Sequence, residues 1–253
     1  MPDEHAEAAT SKPVVNAAPQ RGLTAKRGRT DTRRFGQPAP HKEPKKVASK
    51  PAQKVELPHL KLFGRWDSNV EVSDHGLKAY VNLKPCLLPR SGGVYRRPFH
   101  KSKMHIAERL ALHMMVPGHR GRHHELSSGR FGGGMMQTLG AVEKAMEIIE
   151  TKEKKNPVEV MVRALENSAA REEITSYQLG SIVARDAVIT SPQRRVDKTL
   201  RNFAQGTYRR SFGKKKSIAE ALAEELISAS KGSNDSHAIK EKERLEREAI
   251  GTR

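Results

Sequence analysis

The segment from Ser191 to Phe203 constrains the fold of this chain more than any other. At about 100° per residue, a helix here places Val196, Leu200, Phe203 and Ala204 on one face. The opposite face is cationic and consists of Arg194, Lys198, Arg201 and Arg209. We therefore expect one face to pack on a protein core and the other to face a polyanion.

The net charge of the whole chain points to the same kind of partner. The 47 Lys and Arg residues exceed the 29 Asp and Glu residues, which gives a formal charge of +18. Self-repulsion of that size favours binding to nucleic acid or an anionic surface. Aromatic residues are only 4% of the chain, which argues against base stacking as the main binding mode.

Other composition features narrow the expected class and location. The single cysteine, Cys86, allows no internal disulfide and fits a reducing compartment. The sequence has no apolar run of membrane-spanning length and no apolar signal core near its start. We expect a cytoplasmic protein without membrane contacts.

The chain divides into two parts. Residues 1–56 are rich in Pro, Ala, Lys and Arg without apolar periodicity, which predicts a disordered basic tail. Residues 57–253 form the predicted helical RNA-binding domain, and its first part, 57–103, is rich in loops, with short strands expected near 70–72 and 80–83.

Helical spacing of apolar residues then recurs to the C-terminus. Asn156-Pro157 and the Ser217–Glu220 capping box mark two helix starts. Between them, β-branched residues around Gly180-Ser181 predict a β-hairpin over 171–190. The expected fold is all-α, with about six helices in a bundle and a protruding hairpin arm.

Two basic clusters are the candidate RNA-binding residues. The first comprises Arg96, Arg97, Lys101, Lys103, Arg109, Arg120, Arg122 and Arg130. The second comprises Arg194, Arg195, Lys198, Arg201, Arg209, Arg210, Lys214, Lys215 and Lys216, with Asp197 as the only acid in the run. Such clusters bind phosphates through their charge and suit folded RNA. We expect reversal of Arg194, Arg195, Lys198 and Arg201 to Glu to abolish binding and leave the fold intact.

Other kinds of site fit the sequence less well. His119, His123 and His124 lack a further ligand at metal spacing, and Gly132–Gly134 is not followed by the lysine of a phosphate-binding loop. No catalytic constellation is present, so we expect no enzyme, no metal and no cofactor. A free basic protein that binds DNA or RNA remains the alternative.

Several segments resemble the universal small-subunit ribosomal protein seven family in its archaeal and eukaryotic branch. They are Leu62–Trp66, Ile106–Leu110, Asn156-Pro157 with Val162–Ser168, Arg171–Glu173, Ser191–Asp197 and Ser217–Ile227. Within the Ser191–Asp197 segment, the residues Gln193-Arg194-Arg195 are similar to those of archaeal members. The resemblance covers roughly residues 60–253 and no part of the tail.

This resemblance implies a helical fold with a hairpin arm and direct binding to the 3′ major domain of small-subunit rRNA. It also implies nucleation of head assembly, a position near the exit-site tRNA and the mRNA path, and small-subunit protein eleven as a neighbour. No self-association is expected. The nucleotides contacted and the hairpin residues near tRNA are left open.

Overall fold

The computed structural model describes residues 60–117, 119–120, 123–124 and 133–252; the predicted tail, 1–56, lies outside them. The described residues contain seven α-helices, one of them only four residues long, where the sequence predicts about six. The helices are α1 (His75–Lys78), α2 (Ile106–Met114), α3 (Met135–Glu153), α4 (Pro157–Ser168), α5 (Pro192–Ser211), α6 (Ile218–Ser230) and α7 (His237–Ile250).

Side-chain caps explain why several helices begin where they do. Asn156 accepts a hydrogen bond from the Val158 amide at 3.1 Å, and Pro157 occupies the first turn of α4. Ser217 accepts from the Glu220 amide at 3.2 Å at the start of α6. Both predicted starts are confirmed, because each cap satisfies an amide that has no partner within its helix.

The core lies between α2, α3, α4, α5 and α6. Its largest fully buried side chains include Leu110, Met146, Leu165, Phe203 and Leu222, one from each of these helices. Burying each of them contributes about 1.5–3 kcal/mol. Helix α6 packs against α3, α4 and α5, so the predicted helical bundle is confirmed.

The segment before α2 is irregular, as the sequence predicts. A 3-10 helix (His100–Lys103) precedes α2, and Trp66 donates from Nε1 to Glu150 of α3 at 3.0 Å. The strands expected near 70–72 and 80–83 are absent from the described segment. That prediction was wrong because Val72 and Val81 are buried singly against the helical core and not as part of a pleated ladder.

The hairpin arm pairs β3 (Glu172–Leu179) with β4 (Ile182–Ile189) in antiparallel register, from Glu172 opposite Ile189 to Leu179 opposite Ile182. Its two-residue turn begins at Gly180, whose φ of 62° suits glycine. Helix α7 packs beside β3. The predicted hairpin over 171–190 is therefore confirmed.

A second, very short antiparallel pair precedes the hairpin in the chain and joins β1 (His119–Arg120) to β2 (His123–His124). This pairing involves only two residues on each strand. Across the described ranges, no helix has both the length and the apolar content that crossing a bilayer requires.

Candidate nucleic-acid interface

Helix α5 separates its two faces as predicted. Val196, Leu200 and Phe203 are fully buried and Ala204 is 1% exposed. Pro192 occupies the first turn, although the Ser191 side chain makes no capping hydrogen bond. The amphipathic pattern is thus confirmed, and it turns the opposite, cationic face of α5 away from the core.

Asp197 lies where the two basic clusters meet. Arg109 of α2 donates to its Oδ1 from Nε at 3.2 Å and from Nη2 at 2.6 Å. Lys101 of the 3-10 helix forms an ion pair with the same carboxylate, and His113 Nε2 lies 3.9 Å from it. These contacts bring the beginning of the first cluster against the N-terminal half of α5.

The environment of Asp197 keeps its carboxyl group ionised. Partial burial alone raises its pKa, but hydrogen bonds from His113, Lys101 and Arg109 lower the pKa well below the usual value of 3.8. The negative charge therefore persists at neutral pH and holds the surrounding cations in place.

Arg109 has an interior position that the sequence did not predict. Its side chain is only 4% exposed, and it also donates to the main-chain oxygens of Tyr80 at 3.3 Å and Gln193 at 3.5 Å. The guanidinium thus links α2, α5 and the preceding loop. We therefore leave Arg109 out of the interface, because its donors are directed inward.

Three of the cations at the start of α5 form ion pairs with carboxylates of other elements. Arg194 lies 2.5 Å from Glu173 of the hairpin, and Lys198 ion-pairs with the same carboxylate. Burial raises the pKa of Glu173, but the hydrogen bonds from Arg194 and Lys198 outweigh it and lower the pKa. Arg195, with a side chain 10% exposed, pairs with Asp74 at 2.8 Å.

These pairs change the expected outcome of the fourfold charge reversal. A glutamate at Arg195 faces Asp74 in a largely buried setting, and glutamates at Arg194 and Lys198 face Glu173. Like charges at these distances destabilise the packing of α5. The reversal therefore perturbs the fold as well as the surface and cannot isolate RNA binding.

The C-terminal end of α5 is joined to α6 by further ion pairs. Arg210 lies 2.9 Å from the fully buried Glu225 and 3.6 Å from Glu224, and Lys216 also pairs with Glu224. Arg209 is half-buried and engaged in an interaction of its own. This end of the predicted stripe thus contributes to holding the two helices together.

The remaining predicted cations with described side chains form no ion pair with any carboxylate of the described residues. All of them are exposed: Arg96, Arg97, Lys103, Arg201, Lys214 and Lys215. We refer to these six side chains, together with the exposed Lys101 and Arg194, as the cationic surface. These side chains have the greatest freedom to reach phosphates.

Three predicted residues cannot be placed in this surface. The side chains of Arg120, Arg122 and Arg130 lie outside the described residues, as do those of His119, His123 and His124. Within the described part of the chain, no group of three or more His, Cys, Asp or Glu side chains is arranged to hold a metal ion.

Sequence reasoning missed the acidic partners that hold this region together. Asp74, Glu173 and Glu225 come from the N-cap of α1, from β3 and from α6. No local spacing predicts such pairs, since Arg195 and Asp74 are 121 positions apart. The one indication was that Glu173 lies in the first strand of the hairpin that directly precedes α5.

The geometry suits charge recognition on a rigid scaffold. Helix packing fixes the position of α5, and two acids beside its cationic face, Asp197 and Glu173, are engaged with cations. Together these features define the chain as a basic helical protein whose exposed cations suit a polyanionic partner.

The comparisons with known proteins identify the family within that class. Residues 79–253 match the sequence model described as "Ribosomal protein S7p/S5e". The chain belongs to this family, whose members are structural ribosomal proteins and not enzymes, which confirms the expectation of a non-enzymatic protein.

Three similar relatives are archaeal, as the sequence resemblance predicts. A protein named "Small ribosomal subunit protein uS7" from Nanoarchaeum equitans is 44% identical over 196 residues, which are 77% of this chain and 99% of the relative. The protein of that name from Methanococcus maripaludis is 43% identical over 198 residues, with the same shares. The one from Methanococcus vannielii is 40% identical over 204 residues, or 79% of this chain and 100% of the relative.

Proposed function

We propose that this protein is a structural component of the small ribosomal subunit and binds the 3′ major domain of its rRNA directly. In this role it nucleates assembly of the subunit head in the cytoplasm. The exit-site tRNA, the mRNA path and small-subunit protein eleven lie nearby. The printed names of the archaeal relatives support the assignment to the small subunit.

The observation that carries the proposal is the set of exposed cations that have no acidic partner among the described residues. Arg97 and Lys103 precede α2, Arg201 lies on the outer face of α5, and Lys214 and Lys215 follow that helix. The ion pairs around Asp197 hold the first of these segments against α5. A ligand that follows this surface meets positive charge from both clusters.

Folded RNA is the polyanion that this surface fits best. Binding to phosphates releases counterions, with a contribution to the salt slope of about 0.7–0.9 per contact. Recognition of RNA by shape needs cations held at fixed positions. The helices supply that rigidity, because α5 is anchored to α2, α6 and the hairpin.

A triple reversal tests the proposal without disturbing these anchors. Arg201→Glu, Lys214→Glu and Lys215→Glu change exposed side chains that pair with no described carboxylate. The purified full chain is titrated onto a transcript of the 3′ major domain of an archaeal small-subunit rRNA. We expect a loss of affinity and a salt slope about two to three units smaller, with an unchanged circular dichroism spectrum.

A matched control reverses three exposed cations elsewhere. Lys144→Glu on α3 with Lys240→Glu and Arg247→Glu on α7 gives the same change in net charge, and we expect a much smaller loss. Equal losses of affinity in both variants would show that binding depends on net charge and not on the cationic surface. Equal affinity of the wild type for duplex DNA would favour a free basic nucleic-acid-binding protein instead.

A further inference from the structure

Phe99 exposes most of a large apolar side chain in the middle of the first basic cluster. Its relative exposure is 72%. Scattered exposed apolar residues are common on protein surfaces and carry little information alone. Phe99 differs from them in its backbone conformation and in its neighbours.

The backbone of Phe99 is held in the left-handed region, with φ 62° and ψ −6°. A bulky residue rarely adopts this conformation, and it persists where surrounding contacts enforce it. Ser102 enforces it here, because its amide and its hydroxyl both donate to the Phe99 carbonyl oxygen, at 3.2 and 2.8 Å.

A comparison with Phe63 shows that core packing does not explain this strain. Phe63 also has a positive φ, of 52°, but its ring packs on the core and stacks edge-on with Trp66 at a centroid distance of 6.0 Å. Phe99 is not among the residues that pack on the core of the described fold. Its conformation turns the ring outward instead.

The charges around Phe99 indicate what the ring faces. Arg96, Arg97 and Lys103 are exposed, and none pairs with a carboxylate of the described residues. Lys101 ties the same turn to Asp197 on α5, which sets the ring beside the cationic surface. Proteins bind single-stranded nucleic acid with this combination of an aromatic face and cations that follow the phosphates.

We propose that Phe99 stacks on an unpaired base of the RNA that the cationic surface binds. This inference rests on the proposed function and deepens it by assigning a single-stranded nucleotide to one position. A protein neighbour fits less well, because the core of a protein interface is depleted in lysine, whereas Lys101 and Lys103 follow Phe99 within four residues. Stacking tolerates any base, since every base offers a π face.

Phe99→Gly removes the ring and keeps the turn. Glycine adopts a φ near 62° without steric cost, so we expect the thermal unfolding midpoint to be maintained. Phe99→Trp keeps a stacking surface. Val94→Ala shortens another exposed apolar side chain of the same segment, one that is 75% exposed, and serves as the matched control.

The probe is the 3′ major domain transcript, and the full-length chain is titrated over a range of salt. We expect Phe99→Gly to raise the dissociation constant by about ten-fold with an unchanged salt slope, because no charge is lost. Phe99→Trp and Val94→Ala retain wild-type affinity. Short-wave ultraviolet crosslinking of the wild type is expected to attach a nucleotide to the peptide that contains Phe99.

The outcomes separate this inference from the proposed function. If the wild type binds the transcript and Phe99→Gly binds it equally well, stacking is refuted and the rRNA assignment stands. Equal RNA affinity with weaker incorporation into reconstituted subunits would assign the ring to a protein neighbour and overturn the inference. If the wild type does not prefer the transcript over duplex DNA, the proposed function itself fails.

Discussion

Replacing Asp197 by asparagine tests how the core and the cationic surface are joined. The substitution keeps the size of the side chain and one carbonyl acceptor but removes its charge. It leaves Arg109, whose side chain is only 4% exposed, without a counter-ion. It also releases Lys101, which is half exposed and is solvated by water once the pair is broken.

The expected change in the free energy of unfolding follows from how far each of these side chains is exposed. Breaking a buried ion pair by removing one partner costs about 3–5 kcal/mol, because the remaining charge is left uncompensated. The side chain of Asp197 is 21% exposed, and asparagine still accepts a hydrogen bond worth about 1 kcal/mol. Loss of the exposed pair with Lys101 adds at most about 1 kcal/mol. We therefore expect Asp197→Asn to lower the free energy of unfolding by about 3 kcal/mol.

Urea unfolding followed by far-ultraviolet circular dichroism measures this change. The control is the double variant Asp197→Leu with Arg109→Met, which removes both charges and keeps the volume. We expect it to unfold at a clearly higher urea concentration than Asp197→Asn. A cost below about 1 kcal/mol for the single change, or a double variant no more stable than the single one, would refute the role assigned to this pair.

Three further changes test other parts of the fold. An alanine at Gly206 places Cβ within 2.9 Å of side-chain atoms of α6 and α7, so Gly206→Ala should lower the free energy of unfolding by about 1–3 kcal/mol. The control Gly140→Ala, whose Cβ meets no atom within 4 Å, should not lower it. Burial lowers the pKa of His105 from 6.5 to about 4. Its pKa in the folded protein is thus below its pKa in the unfolded chain, and a fall in pH protonates the unfolded chain first. The protein should therefore lose about 3 kcal/mol of stability between pH 6.5 and 4. Urea titrations of His105→Asn should lack this loss. Glu173→Gln removes the charge that anchors the hairpin to α5, and faster amide exchange in β3 and β4 should reveal the loosening.

Periodicity in the sequence predicted the parts of the fold that depend on local geometry. The apolar stripe of α5, the caps at Asn156 and Ser217 and the turn at Gly180 are confirmed. Each of these follows from residues no more than eight positions apart in the sequence. Steric limits on the backbone and the 3.6-residue repeat act over that range.

The pairing of charges could not be predicted in the same way. Asp197 is the only acid in the basic run that contains it, so the sequence suggested a nearly uninterrupted stripe of free cations. The structure supplies further acids from distant segments, including Asp74 for Arg195 and Glu225 for Arg210. Helical spacing reports the side on which a residue lies but contains no information about which distant element packs there.

The same pairs account for how a chain with a net charge of +18 forms a close-packed core. The cations nearest the interior, Arg109 and Arg195, face carboxylates at the junctions between elements. The cations left free, such as Arg201 and Lys215, extend into solvent, where salt screens their repulsion. The described fold therefore does not need a bound polyanion to neutralise its interior. We therefore expect the scaffold to fold in the absence of RNA, so that the proposed binding carries no cost of folding the helices.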